Sequence, residues 1–232
     1  MAAGKRDNEL RRLAAALRDA HVPVLLRIGY EFNNPWAPYD SANYRVTFRR
    51  VVEIMASSNA SKVAAVWNAT AVGLDGRDFM AWYPGDDVVD WWSINLFGRE
   101  DFSRPGTARF LDEARKHRKP VVIGEAAPVL ATDDPKRVRG PRSEDEAMRW
   151  FQALEKLLAQ RPEIQGVSLI AVNWRRLEKT LPGSGWPDTR LAQWPRVLKM
   201  WRADVASPRF VNEARTRNSA DPEIKDPHLT SP

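Results

Sequence analysis

Two glutamates follow directly on apolar runs. Glu31 comes after Pro-Val-Leu-Leu-Arg-Ile-Gly-Tyr at 23–30, and Glu125 after Pro-Val-Val-Ile-Gly at 120–124. A carboxylate at the end of a buried segment costs free energy unless it is hydrogen-bonded or put to use. Taken singly, each has an ordinary explanation as a loop residue or as a partner for helix N–H groups. Taken together they are the residue types that glycoside hydrolysis requires, one acting as acid/base and the other as nucleophile, about 5 to 5.5 Å apart where configuration is retained. Side chains suited to sugars stand at the ends of the other apolar runs: Trp67 with Asn68, then Asn95, then Asn173 with Trp174. Indole faces stack on the CH faces of sugar rings, and amides hydrogen-bond hydroxyls. Tyr30 and Trp36 flank Glu31, and Tyr39 and Trp186 fall in loops. Each also has a plainer reading, since Asn is a common turn residue and Trp a common core residue. Asp86, Asp87 and Asp90 are read as shaping a turn and a strand entry.

These residues need a scaffold that carries strand ends to one place. Leu10, Leu13, Ala14 and Leu17 have helical spacing, and the apolar run from Pro23 follows as a buried strand. A helix over 41–57, with Tyr44, Phe48, Val51, Val52 and Met55 on one face, precedes a strand over 62–67. A short helix at 79–83 and the turn Pro84-Gly85-Asp86-Asp87 lead to a third strand within 88–97. A helix over 107–119 leads to the strand 120–125, and an irregular stretch follows to 142. Ser143 three residues before Glu146 marks a helix start, with Ala147, Trp150, Phe151, Leu154, Leu157 and Leu158 as its inner stripe. A fifth strand is expected at 166–174 and a last helix over 191–205. Residues 1–205 thus read as one domain and 206–232 as a weakly ordered polar tail.

Alternating helices and strands indicate parallel βαβ units. No Gly-rich phosphate turn or P-loop is present, which disfavours a nucleotide-binding doubly wound sheet. A barrel collects its functional residues at the C-terminal ends of several strands, the pattern found here. The fold class expected is therefore α/β, a partial (β/α)8 TIM barrel, because five strands are legible where a closed barrel has eight.

Composition narrows the function classes. The 232 residues contain no cysteine and three histidines, His21, His117 and His228, so disulfides, thiolate metal sites and cysteine nucleophiles are excluded and no metal or other cofactor is expected. The net charge is +6, but Lys and Arg are interspersed with Asp and Glu, and nucleic-acid binding is not expected. No apolar stretch is long enough to span a membrane, and the start lacks a signal-like apolar core.

The segments RIGYEFNNPWAPY (27–39), VWN (66–68), WYPGDDVVDWWSINLF (82–97) and KPVVIGEAAP (119–128) resemble, in order, the fourth to seventh strand regions of glycoside hydrolase family 26. That family comprises retaining β-mannanases and β-1,3-xylanases on TIM barrels. The resemblance covers roughly residues 8–200 and implies that strands four to eight are present and one to three missing, as in an N-terminally truncated chain. It further implies Glu31 as acid/base, Glu125 as nucleophile and Trp174 as the platform beneath the sugar in the cleaved subsite. An apolar wall such as Trp36 or Trp67 is expected to hold Glu31 protonated. Tyr30 stands where the family usually has His, and Asn95 and Phe97 where a nucleophile-orienting Tyr is common, which marks a divergent branch. The resemblance implies a polysaccharide or oligosaccharide substrate (mannan, xylan or β-glucan) and a secreted or periplasmic location. The alternative is a non-catalytic carbohydrate-binding relative. Open sheet edges would favour self-association.

Overall fold

Short apolar runs mark the strand segments, and the structure, a computed structural model, describes residues 4–35, 39–131, 138–177 and 186–211. Strands β1 (Val24–Arg27), β2 (Val63–Thr70), β3 (Trp91–Leu96), β4 (Val121–Ala126) and β7 (Ile164–Leu169) form one parallel sheet in the order β1-β2-β3-β4-β7. The remaining strands, β5 (Leu130–Ala131) and β6 (Val138–Arg139), pair antiparallel as a small hairpin within the stretch read as irregular. Consecutive parallel neighbours joined by helices curl the sheet into half of a (β/α)8 barrel.

The helices are α1 (Asp7–Asp19), α2 (Ser41–Ser57), α3 (Pro105–Lys116), α4 (Glu144–Gln160), the short α5 (Trp174–Leu177) and α6 (Pro195–Val205). Their starts follow local chemistry. Asp40 accepts the Asn43 N–H at 2.8 Å and Ser143 accepts that of Glu146 at 3.2 Å, while Pro105 and Pro195 occupy first-turn positions where no N–H is needed. The 79–83 segment is a 3-10 turn, Phe79–Trp82.

The two faces of the sheet have different chemistry. Trp67, Trp92, Ile94, Val121 and Ile123 point outward into the core beneath the helices, where Trp67 meets Phe110 of α3 with ring centroids 5.6 Å apart. The alternate residues face the concave side. A Cβ on Gly124 would lie 2.6 Å from Ser93 Oγ, 3.1 Å from Asn95 Oδ1 and 3.3 Å from Arg27 Nη1, so polar groups from β1 and β3 crowd the space that only a glycine leaves open. A helix-covered apolar core on the outer face and polar strand ends on the inner one suit a (β/α)8 barrel, whose βα loops converge at the C-terminal ends of the strands. The fifth strand is shorter than the sequence suggests. It ends at Leu169, and Asn173 reaches Asp188 through an isolated bridge.

Helices α4 and α6 meet at two carboxyl groups. Glu155 Oε1 and Asp204 Oδ2 are buried, and the two carboxyls face each other. Burial first, then the hydrogen bond to Asp204 and its charge, push Glu155 up to about 7. An unfolded glutamate titrates near about 4.3, so between the two values the native state binds more protons. The stabilisation this pair gives is present at acid pH and is lost as pH rises through about 7. Replacement by Glu155→Gln is expected to remove this dependence, so that thermal melts of the variant decline less than wild type between pH 5 and pH 8; parallel declines would contradict the shared proton.

Candidate active site

Glu31 belongs to a turn pinned on both sides. The Ile28 N–H bonds Val66 O and the Phe32 N–H bonds Asn68 O, which carries the alignment of β1 on β2 past the end of the strand. Asn33 is fully buried and pairs with Thr70 through both its amide groups, at 2.8 and 2.9 Å. Gly73 lets that loop approach, since a Cβ there would come 2.2 Å from Asn33 O. Phe32 lies flat on Trp67, centroids 4.5 Å apart. Between these anchors the chain reverses through Gly29 (φ 57°) and Glu31 (φ 51°). His21, Asn59 and Arg118 are the other non-glycine residues with positive φ among those described, and each follows a helix C-cap, where that conformation is common. Glu31 has no such excuse, and a left-handed glutamate persists only where its surroundings over-determine it.

Those surroundings are a closed ring of hydrogen bonds. The Glu31 N–H donates to Asn68 Oδ1 at 3.0 Å, Asn68 Nδ2 donates to Asn95 Oδ1 at 3.1 Å, and Asn95 Nδ2 donates to Glu31 Oε1 at 2.9 Å. Asn68 Nδ2 also reaches Ser93 Oγ at 2.8 Å. The ring fixes which end of each amide is oxygen, because any single flip would set like groups against each other. Asn34 Nδ2 donates to the second carboxylate oxygen at 3.2 Å.

Glu125 stands at a register shift in β4, directly beside Asn95 of β3. Its Oε1 accepts from Arg27 Nη1 at 2.7 Å, a charge-assisted bond across the concave face from β1 to β4. The Arg27 guanidinium also lies 5.8 Å from the centroid of the Tyr30 ring, which is 58% exposed. Glu31, Glu125, Arg27, Asn68, Asn95 and Tyr30 therefore share one end of the sheet.

Several sequence expectations change. Trp67 does not line the mouth. It is fully buried on the outer face, among Phe32, Phe79, Tyr83, Trp92 and Phe110, because alternation along β2 sends it opposite to Asn68. It can neither stack on sugar nor wall Glu31, whose carboxylate is instead met by two amides. Asn68 and Asn95 are fully buried and spend their amides on each other and on Glu31, so they position the glutamate rather than contact a ligand. Asn173 accepts the Arg176 N–H through its carbonyl at 3.1 Å and its side chain at 3.3 Å, a turn role. Trp36 lies outside the described residues.

Trp174 is half-buried, and its Nε1 is buried without a hydrogen-bond partner among the described residues. Its ring is 5.6 Å from that of Trp186, which meets Phe97 edge-on at 4.9 Å. Tyr39 packs instead on Tyr44 of α2, at 5.6 Å. Sequence reasoning missed Arg27, Ser93 and Asn34. Arg27 was detectable as a cation inside an apolar strand, which demands a partner. No cluster of three His, Asp or Glu side chains among the described residues could hold a metal.

A curled parallel sheet of five strands with helices outside it, and glutamates at the ends of its first and fourth strands, is part of a (β/α)8 TIM barrel. Known proteins agree with that assignment. A β-1,3-xylanase (TXYA) from a Vibrio species is 26% identical over 234 residues, covering 92% of this chain and 50% of that protein. The solved structure of GH26C from Muricauda sp. MAR_2010_75 superposes with a TM-score of 0.62 at 13% identity, over 90% of this chain and 57% of that one. A modular endo-β-1,4-mannanase of glycoside hydrolase family 26 from Cellulomonas fimi gives a TM-score of 0.61 at 16% identity, over 89% and 48%. No protein-family model matches. The chain is thus similar to family 26 glycoside hydrolases as a divergent relative, and it spans about half the length of the curated relatives it matches.

The ring predicts a specific cost. Asn68→Ala leaves the Glu31 N–H and the Asn95 amide oxygen unpaired in a buried site, which is expected to destabilise the fold by about 1–3 kcal/mol. Urea unfolding checks this; a variant as stable as wild type would mean that the ring is not formed in solution.

Proposed function

We propose that the chain carries the catalytic carboxylates of a retaining endo-β-glycanase acting on mannan, xylan or β-glucan. One observation carries the reading: Asn95 is the strand neighbour of Glu125 and the amide donor to Glu31, so one residue links both glutamates. Retaining hydrolysis needs carboxyl groups about 5 to 5.5 Å apart, and a shared neighbour on the intervening strand suits that requirement.

In this reading Glu31 is the acid/base. It protonates the leaving glycosidic oxygen as Glu125 attacks the anomeric carbon, and a glycosyl–Glu125 ester forms while the aglycone departs. Glu31 then takes a proton from water, which cleaves the ester with a second inversion and so overall retention. Arg27 aims the Glu125 carboxylate, and the Asn68–Asn95 ring aims Glu31, so neither has to be ordered when substrate binds. Trp174, close to Trp186 beyond β7, supports the glycan through its ring. β-1,3-Xylan is the first substrate to try, given the sequence likeness to a β-1,3-xylanase, followed by mannan and mixed-linkage β-glucan. The outer edges of β1 and β7 carry unpaired backbone in this sheet and are the basis on which self-association is expected.

Reducing-sugar release from these polysaccharides tests the reading. Glu31→Gln is expected to lower the rate about 10²–10⁴-fold, as loss of general acid–base catalysis does, with Glu125→Gln at least as damaging and both variants folded. Unchanged rates in either variant would overturn the assignment. Polysaccharide binding by a wild-type chain that never hydrolyses it would favour the non-catalytic reading.

A further inference from the structure

A cavity of about 940 Å³ opens between residues of the loops that follow β4 and β7, at the end of the sheet where Glu125 stands. Its walls include Arg139, Arg142, Asn173, Arg176, Trp186 and Asp188. The volume lies at the upper end of the range for small-ligand sites, about 300–1,000 Å³. Its wall is tied to the end of β3 by an aromatic contact: Phe97, two residues beyond Asn95, meets Trp186 edge-on at 4.9 Å, and Trp186 lies 5.6 Å from Trp174.

Among the described residues of this wall, two of the cations lack an ion-pair partner. Arg139 is bonded to Glu146 at 2.7 and 2.9 Å, and Asp188 to Arg190 at 2.6 Å. Arg142 and Arg176 form no ion pair among the described residues. The backbone at both is nonetheless held: the Arg142 N–H donates to Glu146 Oε2 at 2.8 Å, and the Arg176 N–H to Asn173 O at 3.1 Å. Two guanidinium groups and a tryptophan lining one cavity offer donors for a planar anion and a stacking surface for a sugar ring. A neutral glycan would use the tryptophan and accept guanidinium hydrogen bonds at its hydroxyls, whereas an anionic one adds a charge-assisted bond.

We propose that this cavity is a subsite for a glycan unit bearing an anionic group, a uronate carboxylate or a sulfate ester, held by Arg142 and Arg176. The inference rests on the glycan-binding reading above and narrows its substrate class to acidic polysaccharides. Binding to the chain is measured by calorimetry with xylo- and manno-oligosaccharides in three forms: neutral, glucuronate-bearing and sulfated. An anionic form is expected to bind at least about tenfold more tightly than its neutral counterpart, the size of one charge-assisted hydrogen bond. That preference should shrink with added salt and vanish in Arg142→Ala/Arg176→Ala, whose exposed side chains are removable without disturbing the core. The arm that gains most, glucuronate or sulfate, identifies the anion. Equal binding of neutral and anionic forms, or a preference that survives the double substitution, would overturn the subsite while leaving glycan binding intact. Binding of none of the forms would overturn the glycan reading and this inference with it.

Discussion

Glu31 is held in a left-handed backbone conformation by a ring of three hydrogen bonds, and most of the site's geometry depends on that ring. Asn68 and Asn95 are buried, so their amides cannot fall back on water, and each bond in the ring is made at the expense of an unsatisfied group. This is what lets a strained glutamate persist at the end of β1. It also transmits the register of the sheet to the carboxylate: Asn68 pairs with Ser93 and Asn95 with Glu125 along the strands, so the position of Glu31 is set by backbone ladders three strands wide.

The same ladders explain why the opposite face must be so aromatic. Polar residues at Asn68, Ser93 and Asn95 contribute little hydrophobic stabilisation to β2 and β3, and the intervening positions compensate with Trp67, Trp92 and Ile94 packed on Phe79 and Phe110. A polar hydrogen-bonded network on the concave face and an apolar core on the convex face are thus written into alternate residues of the same strands. Arg27 extends this logic across the sheet, linking the first strand to the fourth through Glu125.

Much of this was legible in the sequence, and what was missed has physical reasons. The five strands, their helices and both glutamates stand out because hydrophobic periodicity and strand-end position are local properties. Trp67 was misjudged because a tryptophan at a strand end can point either way, and only the register on β1 and β3 sends it outward. The roles of Asn68 and Asn95 as holders of Glu31 depend on contacts between residues 37 and 64 positions away in the chain, which no local pattern carries. The fifth strand was drawn too long because Ile170, Ala171 and Val172 are apolar enough to continue it, whereas the backbone leaves the sheet after Leu169 and Thr189 takes up Val172 instead. Arg27 was passed over as one residue of an apolar run, though a cation there called for the carboxylate that Glu125 supplies.

The central claim is that Glu125 is a nucleophile presented by this sheet alongside an acid/base glutamate. Covalent trapping tests it most directly. The chain is incubated with activated 2-deoxy-2-fluoro β-xylobioside and β-mannobioside, digested and examined by mass spectrometry. The account predicts a glycosyl adduct on the peptide containing Glu125, attached through its side chain. An adduct on any other residue, or no mass shift with either reagent, would contradict it.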